Sequence, residues 1–156
     1  GWEAIGVPTE LKSIDAGVYF SSDAGNPDTA AHFYADVEMY TNGPSSPYPI
    51  DYMSGWKSVD PDVDLAQKSN QWAGTNIHRW VNEDYNAMYT QALTELDEAK
   101  QVELFTGMND LVVNQVVVVP LVHRADVIAA NKKLKGYKTS PWTPDVRDIA
   151  DWYFEE

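Results

Sequence analysis

The stretch NEDYNAMYTQALTELDEAKQVELFTGMNDLVVN, residues 82–114, constrains this chain more than any other. Asn82 belongs to the residue types that accept a hydrogen bond from the free N–H groups of a helix's first turn. Glu83 and Asp84 then put negative charge at the positive end of the helix dipole. Apolar residues follow at Tyr85, Met88, Tyr89, Ala92, Leu93 and Leu96, a spacing of three and four that lines one helical face. Asp97 caps a second helix in which Val102, Phe105, Met108 and Val112 make a stripe, widened by Leu104 and Leu111 and closed at Asn114. The pattern predicts a helical hairpin at about 83–114.

Strand signals surround it. VVVVPLV, Val116 to Val122, is β-branched, short enough for a buried strand and broken by Pro120. PTELKSIDAGVYF reads as two short strands interrupted at Gly17. Asp28 or Thr29 caps a short helix to about Tyr34, and a strand is expected from about Val37 to Thr41. IDYMSGW, residues 50–56, reads as one or two helical turns, and residues 58–81 as mostly loop. Strands mixed with paired helices argue for an α/β fold.

Between Glu38 and Asp51 lies a loop of glycine, proline and serine that carries rings but no charge, in a chain whose net charge is −13. That balance, 24 acids against 11 bases with no basic stripe, argues against nucleic acid or anionic membrane as a partner. The absence of cysteine excludes a disulfide framework and thiolate metal sites. Asp60, Asp62 and Asp64 have the alternate spacing that opens a calcium loop. Leu65 stands where that loop needs glycine and Gln71 where it needs glutamate, so the acids read as a solvated loop. His32, His78 and His123 are scattered singly, and no nucleophile elbow, phosphate-cradling loop or HExxH motif is present. Neither a metal nor a cofactor is implied.

Rings carry the remaining signal, because they supply apolar area at low entropy cost while amides and hydroxyls fix a ligand's orientation. Tyr40, Tyr48, Tyr52, Trp56, Trp72 and Trp80 all fall in predicted loops or at element ends. Arg79, beside Trp80, either holds a ligand carboxylate or pairs with one of the protein's own acids.

Several stretches together resemble the carboxy-terminal third of family 5 extracellular solute-binding proteins, the dipeptide and oligopeptide receptors of ABC importers. They are WEAIGVPTELKSID, ADVEMY, residues 76–124 from NIHRWVNEDYN to VPLVHR, and LKGY. The resemblance implies a periplasmic-binding-protein type II lobe, a mixed sheet with flanking helices, in an extracytoplasmic receptor peripheral to the membrane. Residues 1–135 would be most of the carboxy-terminal lobe, and residues 136–156 a tail returning to an absent amino-terminal lobe on which Trp142, Trp152 and Tyr153 pack. The chain is therefore expected to be a fragment. Ligand capture would be hinge closure, with delivery to an ABC permease and no covalent chemistry. Surface bared by the absent lobe would favour non-native self-association.

Peptide receptors of that family read D-x5-W-x2-D-x2-D/E-P at the neutral loop, the first acid after the tryptophan holding the ligand's α-ammonium group. Here Asp36 and Pro49 match, but Asn42 replaces the tryptophan, Ser45 the ammonium-binding acid and Tyr48 the second acid, with Asp51 just past the proline. A buried ammonium without a carboxylate partner binds poorly. Peptide remains the default ligand, with an oligosaccharide held by the rings, Asn42 and Ser45 as the competitor. The candidate ligand-binding residues are Tyr40, Asn42, Ser45, Tyr48, Asp51, Trp56 and Arg79. A carbohydrate-active enzyme would instead need Asp36, Glu38 and Asp51 to converge, about 5–10 Å apart.

Overall fold

The computed structural model describes residues 1–125, 127–140 and 146–155. Its elements are α1 (Ala16–Tyr19), α2 (Ile50–Met53), α3 (Pro61–Asp64), α4 (Glu83–Ala92), α5 (Glu98–Asn114), β1 (Leu134–Lys135) and β2 (Tyr153–Phe154), with 3-10 turns between them. The helical hairpin forms where its caps place it. The Asn82 side chain accepts from Tyr85 N at 2.9 Å, and that of Asp97 accepts from Lys100 N at 3.0 Å.

The core lies between the two helices and a third layer supplied by residues 50–56. Tyr85, Tyr89 and Ala92 of α4 meet Leu104, Met108 and Val112 of α5. Trp56 closes the cluster, and Ile50, Tyr52, Met53 and Trp80 pack around it. Residues 104, 108 and 112 are spaced by four, so the buried stripe of α5 is rotated from the expected one: Val102 is 61% exposed. Leu93 and Leu96 also leave the core, at 58% and 93% exposed, because α4 ends at Ala92 and the chain turns away there.

Helices with a small sheet are compatible with the α/β class, but the expected mixed sheet does not form among the described residues. The sheet there has two antiparallel strands, with Leu134 opposite Phe154 and Lys135 opposite Tyr153. Residues 37–41 and 118–122 form neither helix nor ladder, Val116 and Val117 lie in the turn and bend that follow α5, Val116 at a φ of 57°, and Val119, Leu121 and Val122 stand 61–80% exposed. β-Branched side chains favour extended backbone, but a strand needs a neighbour for its N–H and C=O groups. Residues 28–34 form turns rather than a helix, and the expected strand before Phe20 is partly α1, capped by the Asp15 side chain on Gly17 N at 2.8 Å. Trp152 meets Tyr137 ring to ring at 5.3 Å, Tyr153 is 62% exposed, and Trp142 lies outside the described residues.

Asn76 knits the loop before α4 to the core. Its backbone bonds Asp64 and Ala66, while its buried side-chain amide donates to the carbonyls of Trp56, Lys57 and Trp80 at 3.3, 3.1 and 2.8 Å. Gly74 allows this approach: a Cβ there would stand 2.3 Å from the Leu65 carbonyl carbon. Of the three acids spaced like a calcium loop, Asp60 accepts from Asp62 N and caps α3, while Asp64 is buried, accepts from Asp60 N and pairs with Lys57.

His78 packs against Phe33 and Trp56, at 5.7 and 6.2 Å between ring centroids. Burial first, and the Arg79 charge second, push its pKa below the ordinary 6.5. Because the folded protein resists protonating this ring, the unfolded chain binds more protons below pH 6.5. The contribution of His78 to stability is therefore complete above that value and is lost as pH falls through the lowered pKa. Thermal melts at pH 7.5 and pH 5 are expected to differ less in His78→Gln than in the wild type; equal differences would exclude this ring as a source of acid sensitivity.

Candidate functional site

The neutral loop from Asn42 to Pro49 has no regular structure, and its polar side chains serve the loop itself. The Asn42 side chain accepts from Gly43 N at 2.9 Å and Ser46 Oγ accepts from Tyr48 N at 3.2 Å, while Asn42 and Ser45 remain exposed. The end of the loop docks on the hairpin. Tyr48 Oη donates to the Ala92 carbonyl at 3.0 Å, and its ring meets Phe105 edge to face at 5.3 Å. Pro49 then starts α2, which places Asp51 exposed in the first turn. Trp56, 8% exposed, packs on Tyr52 at 5.2 Å with its indole N–H buried and unbonded.

Tyr40 departs from that group and enters a three-ring cluster. Its ring lies 5.7 Å from Tyr19 and 5.9 Å from Phe20, and those two lie 4.9 Å apart. The Ala30 N–H bonded to the Tyr19 carbonyl at 2.8 Å holds α1 in place. Glu38, two residues before Tyr40, turns its carboxylate into the cluster and accepts the Tyr19 hydroxyl at 2.6 Å. Burial raises the pKa of Glu38 against the opposing influence of this bond and of Arg79. Burial, reinforced by Glu38, raises both tyrosines as well. Among the described residues no Lys or Arg forms an ion pair with Glu38.

Arg79 is committed to the protein's own backbone. Nη1 donates to the Ala66 carbonyl at 2.9 Å, Nη2 to those of His32 and Phe33 at 3.0 Å, and the guanidinium lies 5.6 Å from the centre of the Trp72 ring. Four non-glycine residues with positive φ gather at this clamp: Phe33, Gln71, Trp72 and Arg79, at 43°, 55°, 62° and 53°. Each such conformation costs roughly 1–2 kcal/mol, so the clamp must hold the two loops against strain. Beside it His32, Tyr34, Lys68, Gln71 and Trp72 line an open groove of about 510 Å³. A second groove of about 660 Å³ runs along α4 past Ser58, Glu83, Asn86 and Thr90.

The seven candidate residues thus divide among four places. Tyr48, Asp51 and Trp56 sit with the hairpin and α2, Tyr40 with the rings around Glu38, and Arg79 at the loop clamp, leaving Asn42 and Ser45 on the exposed loop between. Sequence reasoning left Glu38 out of these seven; its signal was position, an acid alternating with Tyr40 along one segment. It also passed over Tyr19, whose place beside Glu38 depends on packing. No group of three or more metal-ligating side chains occurs among the described residues, and no helix there is long and apolar enough to cross a membrane.

Comparison with known proteins yields a distant relation. The chain is 23% identical over 95 residues to the peptide transport periplasmic protein SapA of Haemophilus influenzae, a match covering 58% of this chain and 17% of SapA. The chain therefore spans a small part of that relative's length. No family model matches the chain, and no solved structure does.

Proposed function

We propose that this chain is part of an extracytoplasmic solute-binding protein that captures a peptide and hands it to an ABC permease. The observation that carries the proposal is the similarity to SapA, a protein named for peptide transport in the periplasm. The ring clusters at Tyr40 and Trp56 and the two open grooves support a binding role. Asp36 and Asp51 are exposed and Glu38 is bonded to Tyr19, an arrangement better suited to holding a ligand than to the paired carboxylates of glycoside hydrolysis. In this reading residues 1–135 form most of a carboxy-terminal lobe. The exposed apolar run at 116–122 would be covered by the rest of the protein, and hinge closure would complete the cleft.

An oligosaccharide is the second reading, favoured by one feature: the loop presents an amide and a hydroxyl, Asn42 and Ser45, where an acid would receive a peptide's ammonium group. Mass spectrometry of solutes that co-purify with the protein, expressed in its natural length and compartment, distinguishes the two. Retained short peptides are the expected result. Oligosaccharides without peptides would replace the first reading by the second, and hydrolysis of a bound glycoside would exclude both.

A further inference from the structure

We propose that Trp56, Asn76 and His78 together bind one internal water molecule, held by the Trp56 indole N–H, the Asn76 side-chain oxygen and His78 Nδ1. None of the three residues lines either open groove, and the site stands whichever solute the protein captures.

Trp56 Nε1, Asn76 Oδ1 and His78 Nδ1 are each buried and have no hydrogen-bond partner among the described residues. Buried polar atoms are nearly always bonded to protein or to ordered water, so three such orphans on neighbouring residues mark a place for one shared partner. The Trp56 and His78 rings lie 6.2 Å apart between centroids, tilted by 31°, and the Asn76 amide donates to the Trp56 carbonyl at 3.3 Å. Turning the Asn76 amide over would not satisfy its oxygen. Its Nδ2 faces the carbonyls of Trp56, Lys57 and Trp80, and a reversed amide would set oxygen against all three. The oxygen therefore points away from them.

The chemistry of the three atoms selects the ligand. An indole nitrogen only donates and an amide oxygen only accepts, whereas an imidazole nitrogen does either. Burial and the Arg79 charge favour the neutral form of His78, which leaves one ring nitrogen as an acceptor. With the proton on Nε2, the set is one donor and two acceptors. A water molecule matches it bond for bond, accepting from Trp56 and donating to Asn76 and His78, and about three bonds is what a buried water makes. A metal or ammonium ion would be opposed by the indole N–H, and an anion by the amide oxygen and the imidazole lone pair. Bound there, the water ties residues 76–78, which lead into the Arg79 clamp, to the turn at Ser54–Trp56 that follows α2.

The test is NMR on the isotope-labelled wild-type protein. Cross-relaxation from water to the Trp56 indole proton is expected, with the sign of a water that tumbles with the protein rather than with the solvent. The His78 nitrogen shifts should show Nδ1 bare and Nε2 protonated. His78→Leu deletes one acceptor and keeps the space filled with apolar atoms. There the indole proton should exchange with solvent about tenfold faster than in the wild type. If that variant does not fold, the wild-type water contact and nitrogen shifts decide alone. No water contact at the indole proton, a proton on His78 Nδ1, or a scalar coupling across a direct bond from Trp56 to His78 would each overturn the site. Unchanged indole exchange in a folded His78→Leu would overturn it as well.

Discussion

Tyr85→Ala is expected to cost about 4 kcal/mol of folding stability, the largest effect of any single side-chain truncation in the hairpin. Tyr85 is fully buried at the point where α2, α4 and Trp80 meet. Its ring stands 5.2 Å from the Trp80 ring, edge to face, and its hydroxyl donates to the Met53 carbonyl at 2.6 Å. Truncation therefore empties a ring-sized volume, removes an aromatic contact and leaves a carbonyl without its donor. Tyr85→Phe isolates the last of these and should cost about 1 kcal/mol. Urea denaturation of the two variants checks the difference. If both variants lost the same amount, the hydroxyl rather than the ring volume would be the support. If neither lost anything, α2 would not be packed on α4 as described.

Asn76→Ala is expected to cost about 3 kcal/mol, although alanine is smaller and fits the space. The wild-type amide satisfies three carbonyls from two separate segments, and a methyl group satisfies none of them. Asn76→Asp should be worse at neutral pH, because it directs a buried negative charge at those same oxygens. The Asp variant should recover relative to Ala as the pH falls and its carboxyl protonates. Denaturant midpoints at pH 7 and pH 4 measure this, and an Asp variant as stable as the wild type at pH 7 would mean that the side chain faces water. Substitution here should also loosen residues 64–80, since backbone bonds to Asp64 and Ala66 run through the same residue.

How much could be read in advance differs from segment to segment. The hairpin was legible because caps and apolar periodicity act within about four residues, so Asn82 and Asp97 announce their helices whatever lies elsewhere. The helical turns of IDYMSGW were legible on the same ground, and they form as α2 and the 3-10 turn at Ser54–Trp56. Which side of each helix is buried was only approximately legible. Leu96 and Val102 match the periodicity but lie beyond or beside the surface that the partner helix covers. For residues 37–41 and 116–122 the sequence shows extended preference alone, and pairing is a property of a second segment that preference cannot supply.

The candidate site divides in the same way. A neutral, ring-rich loop between two acids is visible in the residues themselves. That Arg79 would spend its donors on carbonyls 46 and 47 residues away, or that Tyr19 would meet Glu38 across 19 residues, is visible in neither composition nor spacing. The sequence by itself determined two capped helices, an acidic chain without thiols and a family resemblance pointing to solute capture. Only the tertiary structure decided which rings gather, which carboxylate they enclose and which cation is already engaged. Local signals report the few residues a side chain can reach along its own backbone, whereas a binding site is made by segments that only the folded core brings together.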